Sequence, residues 1–186
     1  MHLANILFMF LSITALHQHD AKPEKGVENS SPCLFDFEGG EVSDCVRQTS
    51  AGRLYISLTI LSELNFDSHG LATLRSQIEN WMYVNRHGDV VVSGVPTFDN
   101  GADTFHDGLV RFVRNGKYGF ADHKGKIVIA AVYDGAMNFD GGRARVCDGC
   151  TLKCSEPGCE HSSFVGGRWL QISTKGVVLV SLPENK

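Results

Sequence analysis

The chain has 186 residues, 42% of them apolar and 20% charged, which suits one ordinary domain or a short repeat array and argues against wholesale disorder. Its formal charge of −4 comes with no block of Lys or Arg, so nucleic acid and anionic membrane are poor partners. No site for a cofactor is evident in these totals.

Residues 3–16 form a nearly unbroken apolar run. It is too short to cross a bilayer, which takes roughly 20 residues, but it suits the apolar region of a signal peptide. Residues 1–21 are therefore read as a cleaved export signal, although no Lys or Arg precedes the run. The mature chain then has no membrane span. Residues 22–32 are polar, contain Pro23 and Pro32, and read as a linker.

Residues 33–65 are expected to form a capping region of a β-hairpin and a short helix. Cys33 to Glu38 alternates up to Gly39-Gly40, and Glu41 to Cys45 returns. A turn centred on Gly39 sets Cys33 opposite Cys45, at a separation that a disulfide needs. Leu54-Tyr55-Ile56 reads as a strand, and Leu58, Leu61 and Leu64 recur at helical spacing behind Ser57 as a candidate N-cap.

From residue 66 a unit of about 35 residues repeats. The segment Asn100-Gly101-Ala102-Asp103-Thr104-Phe105-His106-Asp107-Gly108-Leu109 returns as Asp134-Gly135-Ala136-Met137-Asn138-Phe139-Asp140-Gly141-Gly142-Arg143. Within each unit an aromatic residue and a glycine turn precede an alternating strand. A tight turn follows, clearest at Asn115-Gly116, where a type I′ hairpin needs positive φ at both central residues. The spacing predicts three three-stranded meanders, over 66–104, 105–138 and 139–182. One meander cannot bury both of its faces, so the units must stack. The fold class expected is all-β with one short helix. Trp81, Tyr118 and Trp169 fall at one equivalent position, where a large ring buries the most apolar area.

The middle unit, with Gly-Lys-Tyr118-Gly119-Phe120, Asp122, Gly125-Lys126-Ile127-Val128-Ile129 and Tyr133-Asp134, resembles the WG-repeat proteins, a bacterial family. The resemblance covers residues 66–182. Only the middle copy keeps the glycine of the motif; the others read Trp81-Met82 and Trp169-Leu170. The resemblance implies an all-β repeat architecture and an interaction role, with no catalytic residues to carry over.

The third unit is interrupted by a Cys-rich insert, residues 147–161, where the second has Asn115-Gly116. Cys147, Cys150, Cys154, Cys159 and His161 offer thiolate and imidazole, the usual zinc ligands. Together with Cys33 and Cys45 they also make an even set of six cysteines, which in an exported chain points to disulfides. Disulfides lead, with zinc as the alternative metal reading. Cys147-x-x-Cys150 also has thiol-redox spacing, although nothing sets it at a helix N-terminus. His106-Asp107, and His161 beside Ser162 and Ser163, supply base and nucleophile types without triad geometry. Asp99, Asp103, Asp134 and Asp140 lack calcium-loop spacing and read as turn residues. Arg111, Arg114, Lys117, Arg143 and Arg145 read as the solvated side of amphipathic strands. The expectation is thus an exported, non-catalytic bacterial scaffold that binds a protein or a cell-surface component. A zinc or thiol-redox role for the insert is the alternative.

Overall fold

The computed structural model describes residues 27–34, 41–77, 79–154 and 162–182. The expected signal segment, the first part of the expected linker, Cys159 and His161 lie outside them. No helix among the described residues is long and apolar enough to cross a membrane.

The first body is a six-stranded antiparallel sheet that curls on itself. It takes in β1 (Val27–Leu34), β2 (Glu41–Thr49) and β3 (Leu54–Ile56), then α1 (Leu58–Leu61), then β4 (Leu71–Ser76), β5 (Trp81–Asn85) and β6 (Val90–Val95). The strand order is β3-β2-β1-β4-β5-β6. Its two edges meet where Tyr55 bridges Asp89 and the Ile56 N–H donates to the Gly88 carbonyl at 2.9 Å. Cys33, Cys45, Val46, Leu74, Met82 and Val84 fill the interior, with Ile60 of α1 packed among them.

Three expectations change here. Residues 27–32 were read as linker but belong to a strand, because β2 supplies backbone partners that polar residue types do not preclude. Cys33 pairs in register with Val42 rather than Cys45. The ladder is irregular between Ser31 and Cys33, where Pro32 has no N–H to give and Asp44 opposite adopts a φ of 57°. The disulfide forms across that bulge, with the Cα atoms 5.6 Å apart. The helix is one turn only. The Ser57 hydroxyl bonds Thr59 Oγ1 at 2.7 Å and leaves the helical amides uncapped.

A short ribbon follows, β7 (Thr97–Phe98) with β8 (Gly101–Ala102), and then the second meander, β9 (Leu109–Arg114), β10 (Lys117–Asp122) and β11 (Ile127–Tyr133). Asn115 and Gly116 join β9 to β10 with φ of 53° and 74°, as the type I′ turn requires. The third meander uses β12 (Gly135–Ala136) and β13 (Arg143–Asp148), then a second ribbon, β14 (Thr151–Cys154) with β15 (Ser162–Val165), and finally β16 (Arg168–Ser173) and β17 (Val178–Ser181). Asp148 pairs with Arg168 as Arg114 pairs with Lys117, so the second ribbon replaces the Asn-Gly turn.

The meanders β4-β5-β6, β9-β10-β11 and β13-β16-β17 stack because the middle strand of each points alternate residues to opposite faces. Met82 and Val84 enter the first body, while Trp81 and Tyr83 meet Val110, Phe112 and Ala121 of the next unit. Phe120 turns the other way, onto Phe139, Val146, Leu170 and Ile172. Beyond them Trp169, Cys147 and Cys150 are closed off by Phe164 of the second ribbon and by Leu182. The fold is all-β with one short helix.

The stack also explains the motif glycine. A Cβ on Gly119 would stand 2.7 Å from the Ile129 carbonyl oxygen and 2.8 Å from Phe112 Cζ. In the outer copies the same position is held by Met82 and Leu170, which are buried in the core clusters.

Candidate functional site

The Cys-rich insert was the first candidate. Cys147 ends β13 and Cys150 follows the turn at Asp148-Gly149; the two are disulfide-bonded, with Cα atoms 6.0 Å apart. Both are buried beneath Phe164 and Trp169. Cys154 is disulfide-bonded as well. Three of the five alternative zinc ligands are therefore not thiolates, and among the described residues no group of three or more His, Cys, Asp or Glu is placed to hold a metal. The Cys-x-x-Cys pair lies at a strand end under aromatic cover, without the exposed, electropositive setting that makes a thiol reactive. The insert's part in the fold is to cap the end of the stack.

The histidines fall elsewhere. His106 Nε2 bonds Thr104 Oγ1 at 3.1 Å, and Asp107 accepts the Gly142 N–H at 2.7 Å, which ties the opening turns of two units. A different pair is brought together. His69 stacks on His123 with ring centroids 3.9 Å apart, and His123 on Phe105 at 3.8 Å. Tyr83 closes this column beside a shallow cavity and donates its hydroxyl to the Asp103 carbonyl at 2.7 Å. Burial, then the neighbouring His69, lowers the pKa of His123; burial raises that of Tyr83.

Between the two ribbons lies a cleft of about 330 Å³. Phe98 of β7 stands on one side, with Leu152, Ser162 and Ser163 of the second ribbon on the other; Tyr118, Met137 and Trp169 line it between them. Phe98, Met137 and Leu152 are exposed despite their size. Tyr118 is only partly buried, unlike Trp81 and Trp169, because its ring faces this opening. Burial raises its phenol pKa, against the opposing charge of Arg111.

Two arginines reach the cleft and differ in kind. Arg111 is buried and fully engaged. Its Nε and Nη2 donate to Asp103 at 2.8 and 3.1 Å, and its Nη1 donates to the Ala136 carbonyl at 2.7 Å. Asn138 adds a bond to the same Asp103 carboxylate at 2.9 Å. Arg145 is exposed and lies over the Trp169 ring, 4.9 Å from its centroid. Among the described residues no carboxylate pairs with it. Stacking holds a guanidinium flat with its donor edge open, which suits an incoming carboxylate.

The other sequence candidates resolve singly. Asp103 is no turn residue but the fully buried counter-ion of Arg111. Asp134 accepts from Lys117 and from the Gly149 N–H at 2.7 Å, and the Lys117 bond foremost lowers its pKa. Asp140 closes the turn to Arg143, and Asp99 adopts a φ of 53° beside the first ribbon. Arg114 lies over Phe112, 5.4 Å from its centroid, and Arg143 reaches Gln171 at 3.5 Å. Sequence reasoning missed the cleft. Only the exposed aromatic of Phe98, beside a Pro and an Asp-Asn-Gly turn, hinted at a projecting ribbon.

Residues 81–118 and 118–149 match the family described as WG containing repeat. Each match runs from one unit into the next, starting at the central aromatic residue of β5 and of β10. No curated protein and no solved structure matches the chain. Two adjacent repeats of this kind, set in a stack of all-β meanders, make this chain a WG-repeat-containing protein.

Proposed function

We propose that this β-repeat protein is an exported, non-catalytic binding module, and that its binding surface is the cleft between the two ribbons. The observation that carries the reading is the juxtaposition of exposed Phe98, Met137 and Leu152 with the stacked Arg145, which no carboxylate among the described residues pairs with. A cavity of this size suits a few side chains of a partner rather than a flat contact. The chemistry selects an extended segment of a partner protein that offers a bulky apolar side chain next to a carboxylate.

Export is supported by the Cys33–Cys45 and Cys147–Cys150 bridges, which persist in oxidising compartments, and by the apolar residues 3–16. Selection of a displayed random peptide library on the oxidised protein tests the binding reading. Sequences pairing Asp or Glu with an aromatic or aliphatic residue should be enriched, and Arg145→Glu should abolish their binding. Enrichment of basic sequences, or binding indifferent to Arg145→Glu and Leu152→Asp, would overturn it.

A further inference from the structure

The second ribbon, β14 with β15, is a sheet of two strands. Such a ribbon is marginal in water by itself, so packing must hold this one. Phe164 of β15 supplies that packing, with its ring centroid 5.5 Å from that of Tyr118 and 6.4 Å from that of Trp169. Consecutive residues of a strand point to opposite faces, so neighbours in a run can line one cavity only along the strand's edge. Ser162, Ser163 and Phe164 line the cleft as such a run, whereas β14 contributes Leu152 alone. The edge of β15 that is turned away from β14 therefore borders the cleft.

β15 pairs with β14 from Ser162 to Val165, and among the described residues no other backbone hydrogen bond reaches it. In an antiparallel pair every second residue turns its N–H and C=O away from the partner strand. On β15 those groups face the cleft. Proteins keep an edge strand from associating by giving it a charge or a proline. β14 carries Lys153, but Ser162 to Val165 carry neither device. β7 opposite presents a similar run but has only two residues, so β15 offers the longer edge.

We infer that the partner is held by strand addition: its extended segment pairs backbone to backbone with β15 and becomes the third strand of the ribbon. This rests on the cleft reading above and adds the element that recognises the segment. Backbone bonds to β15 fix the segment in place and are indifferent to its sequence. Arg145 then selects its carboxylate, and Phe98 with Leu152 its apolar side chain. Phe164 already fixes the edge against the stack, so little ordering opposes the pairing.

The probe is a library-selected peptide with an aromatic residue next to Glu, remade with one backbone N-methyl group at each position in turn. Calorimetric titration of the oxidised full chain should show binding weakened about tenfold or more at every second position and little changed between them. Amide exchange of the bound protein should slow at alternate residues from Ser162 to Val165. Indifference to methylation at every position, losses that do not alternate, or unchanged exchange along β15 would each overturn the inference. In those cases the cleft reading stands if the unmethylated peptide still depends on Arg145. A peptide that binds Arg145→Glu as well as the parent protein overturns both.

Discussion

Removing the carboxylate of Asp103 should damage this protein more than any other single polar change. Asp103 is fully buried, and three bonds reach its two oxygens, from Arg111 Nε and Nη2 and from Asn138 Nδ2. Its backbone carbonyl accepts from Tyr83 of the first meander, and Arg111 also reaches the Ala136 carbonyl at the start of the third. Asp103→Ala therefore strands a buried guanidinium at the junction of all three units. Breaking a buried pair from one side costs about 3–5 kcal/mol, because the remaining charge is uncompensated. That is a large share of a total stability of about 5–15 kcal/mol. Replacing both partners, as Asp103→Ala with Arg111→Met, removes the stranded charge and should recover at least half of the loss. Urea unfolding of the oxidised protein, followed by tryptophan fluorescence and extrapolated linearly, measures both variants. A single-variant cost below about 1 kcal/mol, or a double variant no more stable than Asp103→Ala, would refute this reasoning.

Other outcomes follow from the packing. Gly119→Ala forces a methyl group against Ile129, Ala131 and Phe112 and should cost about 1–3 kcal/mol; an unchanged melting temperature would contradict the close approach. Replacing Cys33 and Cys45 by Ser opens a loop of sequence separation 12 and should cost about 3 kcal/mol, measured by the same urea unfolding. His123 has a folded-state pKa below its ordinary value, so the unfolded chain binds the proton more readily. Its contribution is fully present above about pH 6.5 and is lost as pH falls through the lowered folded-state value. Unfolding midpoints at neutral and acidic pH should draw closer in His123→Phe than in the parent protein; an identical pH dependence would exclude the His69–His123 stack as its source.

Much of the repeat was legible because its signals are local. Asn115-Gly116 dictates a two-residue turn wherever it falls between alternating strands, and the equivalent positions of Trp81, Tyr118 and Trp169 fix the period. Cys33 and Cys45 were close enough in sequence to pair, although the bulge at Pro32 and Asp44 set a different register. What escaped was whatever depends on burial of both sheet faces. Arg111 alternates as an outward residue should, yet β9 is buried on both sides, so its charge had to find Asp103 inside. Residues 27–32 carry no apolar alternation, and their strand exists because β2 supplies backbone partners. The cleft escaped for a related reason. Its walls are ribbons too short for any periodicity to register, and only the stacking of units brings Phe98 across from Leu152.

The most direct test of the binding account uses the two tryptophans of the chain as internal reporters. Trp169 lines the cleft with Arg145 over its ring, whereas Trp81 is buried between the first two meanders. Titrating ¹⁵N-labelled oxidised protein with a library-selected peptide carrying an aromatic residue next to Glu should shift the Trp169 indole signal and leave that of Trp81 in place. Arg145→Glu should abolish the shift. A bound peptide that moves the Trp81 signal alone, or leaves both unmoved, would contradict the cleft as the site of binding.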